Sequence, residues 1–395
     1  MNRMSFDLTD EQTAFAASVR AFAEGRLGAD ALRRAHEPGY AWDSAKLLAD
    51  QQLLGLTIPE EDGGQGASLI DAVIAIQEVA RVCPKSGDVI QASNFGAIRT
   101  FAQYASRELK DRYLPDLLAG RSLLGLAMSE PEAGSAVTDL KTSATADGDC
   151  YLLNGSKVFS TNSPDASAFL VYVRFGAGLG GIGSVIVDRE TPGLTIAPPS
   201  DFMNGEQWSQ LFFDDCRIPA SRVVLGPGGF KKQISGFNVE RIGNAARALA
   251  LGQLAQEIAR RYALERRQFG RPLCEFQGIQ WKFADMAVKL DAAQLLLNRA
   301  AEHASAGLPD PYETTVAKLA CNQAGFDAAN ESLQVMGAMG FTRETLVEYC
   351  LLRTRGWMIA GGSIEMLKNR IAESVFDRRF SQRPERPGRP AAVAS

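Results

Sequence analysis

The chain has 395 residues, 46% of them hydrophobic and 22% charged, with a formal net charge of −4. That length allows a sizeable core and more than one domain, while the mild charge and scattered basic residues argue against nucleic-acid binding. No apolar run reaches the ~18 residues of a membrane span, and the opening MNRMSFDLTDEQ lacks the apolar stretch of a secretion signal.

Residues 1–121 read as an N-terminal all-α domain. Thr9 and Gln12 fit a capping box, and Phe15, Val19 and Phe22 follow at helical spacing. A Gly-rich break over 58–66 separates this helix region from a helix predicted from Ser68 to about Val82, and further helices are predicted over 87–105 and 107–119. Residues 122–232 change texture. Asp147-Gly148-Asp149 between Thr142–Ala146 and Tyr151–Leu153 reads as a hairpin, and short apolar runs recur at 168–173, 184–187, 194–197 and 211–213. This middle β-domain, a barrel or sandwich, ends near the Gly226–Gly229 turn. Residues 233–380 return to helical periodicity as a C-terminal bundle. Its leading helix is predicted to open on Gly236-Phe237-Asn238, with Glu240 and Arg241 in its first turn and Ile242, Ala245, Ala246 and Leu249 on a buried face. The Pro- and Arg-rich tail, 381–395, is predicted to be disordered. The fold class is therefore α+β, with a cleft expected where the three blocks meet.

Six separated cysteines without a CxxC pair read as reduced thiols of a cytoplasmic protein. His36 and His303 have no ligand pattern around them, so no metal site or serine–histidine relay is expected, and the chemistry falls to carboxylates or a cofactor. The loop Leu126 to Ser135, with Met128, Ser129 and Gly134, can cradle a heterocycle edge and a pyrophosphate, or be a surface turn. Phe159 can stack on a flat ring, with Thr161 donating to a ring nitrogen, or Phe159 can be core. Arg266, Phe269 and Gln277, and Gln334 with Gly337, are weak signals singly; their order after a β-domain gives them weight together.

With these blocks in view the chain resembles the acyl-CoA dehydrogenase family from Leu8 to Ala372. The most specific stretches are AMSEPEAGS (127–135), ERRQFGRPLCEFQ (265–277) and QVMGAMGFTRE (334–344). The resemblance implies an all-α domain, a β-domain and a four-helix bundle, assembled as a homotetramer with FAD at a subunit interface. It places Leu126, Met128, Ser129, Gly134, Ser135, Phe159 and Thr161 around the isoalloxazine and phosphates. Arg266, Phe269 and Gln277 would grip the adenosine-pyrophosphate part with Gln334 and Gly337 of a neighbouring subunit, and Ser363 and Glu365 match the last FAD-contacting segment. Arginine suits such a grip because its planar fork holds phosphate oxygens bidentately.

Many members carry the catalytic carboxylate beside the glycine of a YEGTS-like segment. Here the segment is Ile359-Ala360-Gly361-Gly362-Ser363, and Gly361, taken as the expected position, has no carboxylate. Isovaleryl- and long-chain-type relatives use a glutamate on the long helix instead, and Asn238-Val239-Glu240-Arg241 matches that arrangement. Read without the resemblance, Glu240 is a helix N-terminal carboxylate facing the dipole. The resemblance implies α,β-dehydrogenation of an acyl-CoA or acyl-carrier-protein thioester, Glu240 taking the α-proton and FAD N5 the β-hydride. Arg241 would bind the pantetheine side, with Ser135, Asn238, Gly361 and Gly362 completing the substrate site and the residue-361 amide stabilising enolate-like charge. An electron-transfer flavoprotein is the expected acceptor. A flavin oxidase or monooxygenase, or a non-catalytic partner subunit, are the alternatives. Asp88, a rival carboxylate on an otherwise apolar helix, is read as a solvated helix face.

Overall fold

The computed structural model describes residues 8–305 and 307–382. The N-terminal block comprises α1 (Asp10–Arg26), α2 (Ala31–His36), α3 (Trp42–Asp50), α4 (Leu69–Ala80), α5 (Pro84–Asn94), α6 (Ala97–Tyr104) and α7 (Arg107–Leu118). Thr9 and Gln12 form the predicted capping box, and Ser68 with Asp71 forms a second one on α4. Nearly every α4 residue is buried, because α1, α5, α8 (Phe230–Glu265) and α9 (Gln277–Glu302) surround it.

The helix predicted over 87–105 is two helices. The first starts earlier, with Pro84 in its opening turn, where a missing N–H costs nothing. It stops at Phe95, and Gly96 leaves the helical region at ψ −139. Glycine at this turn leaves room for what lies opposite, since a Cβ at Gly96 would sit 3.3 Å from Glu240 Oε2.

The middle block holds β1 (Leu124–Ala127), β2 (Ser143–Asp147), β3 (Cys150–Thr161), β4 (Ala168–Arg174), β5 (Ile182–Asp188), β6 (Leu194–Ile196), β7 (Ser200–Asp201), β8 (Gln207–Pro219) and β9 (Val223–Leu225). Their order is β6-β8-β3-β2-β4-β5-β9, with β1 parallel to β4 and β7 on β8. The predicted hairpin is present, closing on Asp147 opposite Cys150. The buried faces of β4 and β5 share a core with Leu153, Leu211 and Phe213 from β3 and β8.

The third block is α8, α9, α10 (Pro311–Met336), α11 (Leu346–Trp357) and α12 (Ile364–Val375). The expected class, helices then sheet then helical bundle, is the one observed. One placement needs correction: α8 begins at Phe230 rather than at Gly236. Glu240 and Arg241 therefore sit about three turns inside the helix, beyond the reach of its free N–H groups, and the helix-dipole reading of Glu240 fails. Gly236 is a contact residue, not a flexible start, because a Cβ there would lie 2.3 Å from Thr100 Oγ1 on α6. The predicted disordered tail falls, from residue 383 on, outside the described residues.

Candidate active site

A cavity opens where α5, α8, α11 and the β-domain converge. Glu240, Gln91, Gly361, Leu126 and Thr161 all line it. The Glu240 atom Oε2 is buried and, among the described residues, accepts no hydrogen bond. Burial pushes its carboxyl pKa up to about 7, against the pull of Arg247, Gln91 and Lys318. A carboxylate so placed is a far stronger base than one in water. Space for it comes from two glycines. Gly96 lets Oε2 rest against backbone, and Gly243 admits the Gln91 amide, whose Oε1 would lie 2.0 Å from a Cβ at 243. Gln91 Nε2 in turn donates to the Glu240 carbonyl at 3.3 Å.

At the next residue, Arg241, Nε donates to Gly361 O at 3.0 Å and Nη1 to Asn238 Oδ1 at 3.0 Å, with the guanidinium 5.2 Å from the Phe237 ring. Burial, reinforced by Arg370, lowers its pKa to about 10. Gly361 and Gly362 occupy left-handed backbone at φ 72 and 102, which favours glycine. Among the described residues, the Gly361 N–H reaches no backbone carbonyl. A side chain at 361 would point at Lys318, with Cε 3.3 Å from the added Cβ. Neither Ala360, which directly precedes the glycine pair and also lines the cavity, nor Gly361 offers a carboxylate.

Lys318 was not visible as a site residue in the sequence. It is fully buried on α10 and donates to Trp357 O at 3.2 Å and Gly362 O at 3.1 Å. It thereby ties the glycine loop to the bundle. Burial, with Arg241 and Arg247 adding repulsion, lowers its pKa to about 7.

Asp88 is not on a solvated face, as the sequence reading had it. One carboxylate oxygen accepts from Arg247 Nη1 at 2.6 Å and the other from Arg353 Nη2, while Arg353 Nη1 pairs with Glu206 at 2.9 Å. Both arginines are buried and lie against the Trp357 ring, at 4.5 and 5.3 Å. Asp88 is thus committed to an ion network in the same cavity, both its oxygens occupied by arginines. Polar residues at i, i+4 and i+7 (Glu240, Asn244, Arg247) amid alanines and leucines were the sequence signal for this face.

On the β side, Leu126 and Thr161 reach the cavity, and the loop from Met128 is shaped by a buried ion pair. Lys157 Nζ contacts Glu130 at 2.8 Å and Met128 O at 3.1 Å, and Glu130 also accepts from the Lys141 and Thr142 N–H groups. Ser129 is half-buried, whereas Gly134 and Ser135 are exposed, with nothing near the Gly134 Cβ position. Phe159 is 57% exposed at φ 58 and stands 4.7 Å from the Trp208 ring. Phe269 is 93% exposed at φ 51, in the turn between β10 (Arg267–Gln268) and β11 (Arg271–Pro272). Bulky residues at positive φ are strained. Both phenylalanines are positions that the family resemblance gives to FAD, and both hold an aromatic face open, so the residues present fit that group. Arg266, Gln277, Gln334, Gly337 and Glu365 lie exposed on the surface, away from the Glu240 cavity, and Ser363 caps α12.

The chain matches the acyl-CoA dehydrogenase N-terminal domain over residues 9–121, the middle domain over 125–216 and the C-terminal domain over 227–376. It is 34% identical over 386 residues to a 3-sulfinopropanoyl-CoA desulfinase of Paraburkholderia xenovorans, covering 96% of this chain and 99% of that one. It is 34% identical over 349 residues to the human mitochondrial short-chain specific acyl-CoA dehydrogenase, covering 87% and 85%. A solved glutaryl-coenzyme A dehydrogenase in complex with glutaryl-CoA superposes with a TM-score of 0.90 at 28% identity, covering 96% of this chain and 98% of that one. Fold and domains together define an FAD-dependent oxidoreductase acting on CH–CH bonds of acyl thioesters. The chain belongs to the acyl-CoA dehydrogenase family.

Proposed function

We propose that Glu240 abstracts the α-proton of an acyl-CoA or acyl-carrier-protein thioester in an α,β-dehydrogenation. FAD, when bound against Leu126, Phe159 and Thr161, supplies a two-electron acceptor for the β-hydride. The Cα–H pair becomes the new C=C bond as the β-hydride leaves, and the proton ends on Glu240. Negative charge that builds on the thioester oxygen meets the Gly361 N–H, held in place by Arg241 from one side and Lys318 from the other. The observation that carries this reading is the sealed, unpartnered Glu240 oxygen in a cavity shared with Leu126 and Thr161. Arg241 binds the pantetheine arm together with Asn238, and the family resemblance assigns the exposed Ser135 to the same substrate. The open adenosine grip is completed by Gln334 and Gly337 of a second copy in a homotetramer, and an electron-transfer flavoprotein reoxidises the enzyme. Six free cysteines among the described residues suit a reducing compartment such as the cytoplasm.

Anaerobic mixing with a series of acyl-CoAs tests the central claim by bleaching of the flavin. Glu240→Gln should still bind substrate and reduce flavin roughly 10²–10⁴-fold more slowly. Undiminished reduction by that variant would remove Glu240 from the mechanism.

A further inference from the structure

The walls of the cavity beyond Glu240 are not those of a slot for a plain hydrocarbon. Lys85, Asp88 and Gln91 face it at i, i+3 and i+6 on α5, and Glu240, Asn244 and Arg247 at i, i+4 and i+7 on α8. Seven residues of helix place Arg247 about 10 Å along the axis from Glu240. An acyl chain of roughly four to six atoms, starting with its α-carbon at Glu240, therefore ends at the Arg247–Asp88–Arg353 network.

Three cations (Lys85, Arg247, Arg353) and four carboxylates (Glu37, Asp88, Glu206, Glu240) line the cavity. Glu240 is the proposed base at the near end, and the Glu37 carboxylate is bound by Arg33. Both Asp88 oxygens are already occupied by arginines, and Glu206 is taken by Arg353 and Asn204. Among the described residues, Lys85 is the lining cation with no carboxylate at ion-pair distance; its ammonium donates to the Glu37 carbonyl. Two further donors, Arg247 Nε and Arg353 Nε, are buried without an acceptor. Buried N–H groups left this way cost free energy that an acceptor would recover. Alkyl carbon laid against such a network would gain little and would strip solvent from the charges.

Resting on the proposed thioester dehydrogenation, we propose that the acyl group is short and ends in an anion, a carboxylate or sulfinate, received by Lys85 and the Arg247–Arg353 pair. Hydrocarbon and cationic chain ends are the rejected classes, because one leaves the donors unpaired and the other brings a further cation beside Lys85, Arg247 and Arg353.

Three five-carbon thioesters that differ only at the far end decide it: glutaryl-CoA, valeryl-CoA and 5-aminovaleryl-CoA. Each is mixed anaerobically with the flavin-loaded enzyme, and the rate of flavin reduction is followed against its concentration. The second-order reduction constant should favour glutaryl-CoA by about tenfold or more, since a site built to hydrogen-bond a group discriminates strongly against its absence. Lys85→Met should collapse that ratio, and Lys85→Arg should keep most of it. Lys85 is the variant of choice because it is half-exposed, whereas the arginines are buried and their loss strands Asp88. Equal use of glutaryl- and valeryl-CoA, or preference for the amine, overturns the anionic end and leaves the dehydrogenase reading intact. A flavin that no thioester bleaches overturns both.

Discussion

A carboxyl with a pKa of about 7 ties activity and stability to pH in opposite senses. The ordinary value for this side chain is 4.5, and burial raises it in the folded protein. For catalysis the deprotonated form is needed, so kcat/KM should rise with pH along a titration centred near pH 7. Lys318, itself lowered to about 7, pulls Glu240 down when charged. Lys318→Met should consequently move the activity midpoint to higher pH, a shift that loosening of the glycine loop alone would not produce. For folding the sign reverses. The folded state holds the Glu240 proton more tightly than the unfolded chain, so no cost exists below the unfolded pKa, and it grows to full size above the folded one. Glu240→Gln should therefore stabilise the protein at alkaline pH by something of the order of 3 kcal/mol. Thermal melts of the two proteins should converge towards about pH 4, where both side chains are neutral. A variant no more stable than the parent at alkaline pH would mean that Glu240 is not desolvated in solution.

Glu240 is positioned by the packing of α8 against α10, through contacts that exclude even a methyl group. A Cβ at Gly252 would lie 2.6 Å from Gly325 Cα, and one at Gly325 would lie 2.1 Å from Ala248 O. These glycines cost helix propensity, and the close α8–α10 crossing they permit is the compensation. Gly325→Ala should push the helices apart, destabilise by about 1–3 kcal/mol, and lower kcat more than it raises KM, because Glu240 and Lys318 ride on the two displaced helices. Denaturant melts and steady-state kinetics on the same preparation check both. At this scale the sequence was legible where a single chain segment decides the outcome, as in the Thr9 capping box, the Asp147–Cys150 hairpin and the return to helix after Gly229. It was opaque where a partner decides it. The α8 start was placed late because Gly236 reads locally as a breaker, and only Thr100 on α6 shows why it is there. Gly96 at the α5–α6 break likewise faces a distant partner, Glu240, some 145 residues away in sequence. Asp88 looked solvated because its partners, Arg247 and Arg353, come from two other helices. Glu240 stood out as a candidate only by its motif; periodicity alone left it a helix-end carboxylate.

Over the whole molecule, the residues matched to FAD divide into two sets. Leu126 and Thr161 belong to the interior cavity, while Arg266, Phe269, Gln277, Gln334 and Gly337 are spread on the outer surface of the bundle. An exposed apolar row runs along α9 on the same bundle, with Trp281 at 61%, Val288 at 70% and Leu295 at 49% exposure, spaced seven residues apart. A seven-residue repeat on a helix marks one stripe, and a stripe of this kind left in water marks a contact surface. If a second copy covers it and brings its own Gln334–Gly337 segment to Phe269, flavin retention and assembly become one equilibrium. Ligand that binds only the assembled state stabilises it by mass action, about 2.7 kcal/mol at a hundredfold excess over Kd. Sedimentation read at the flavin absorbance should then show the colour only in the oligomer, and dilution should release FAD and monomer together. Trp281→Ser, remote from the Glu240 cavity, should weaken assembly and flavin retention in parallel, and added FAD should restore both. A colourless oligomer, or a monomer that keeps its flavin on dilution, would place the whole FAD site within one chain and leave the α9 stripe to a different partner.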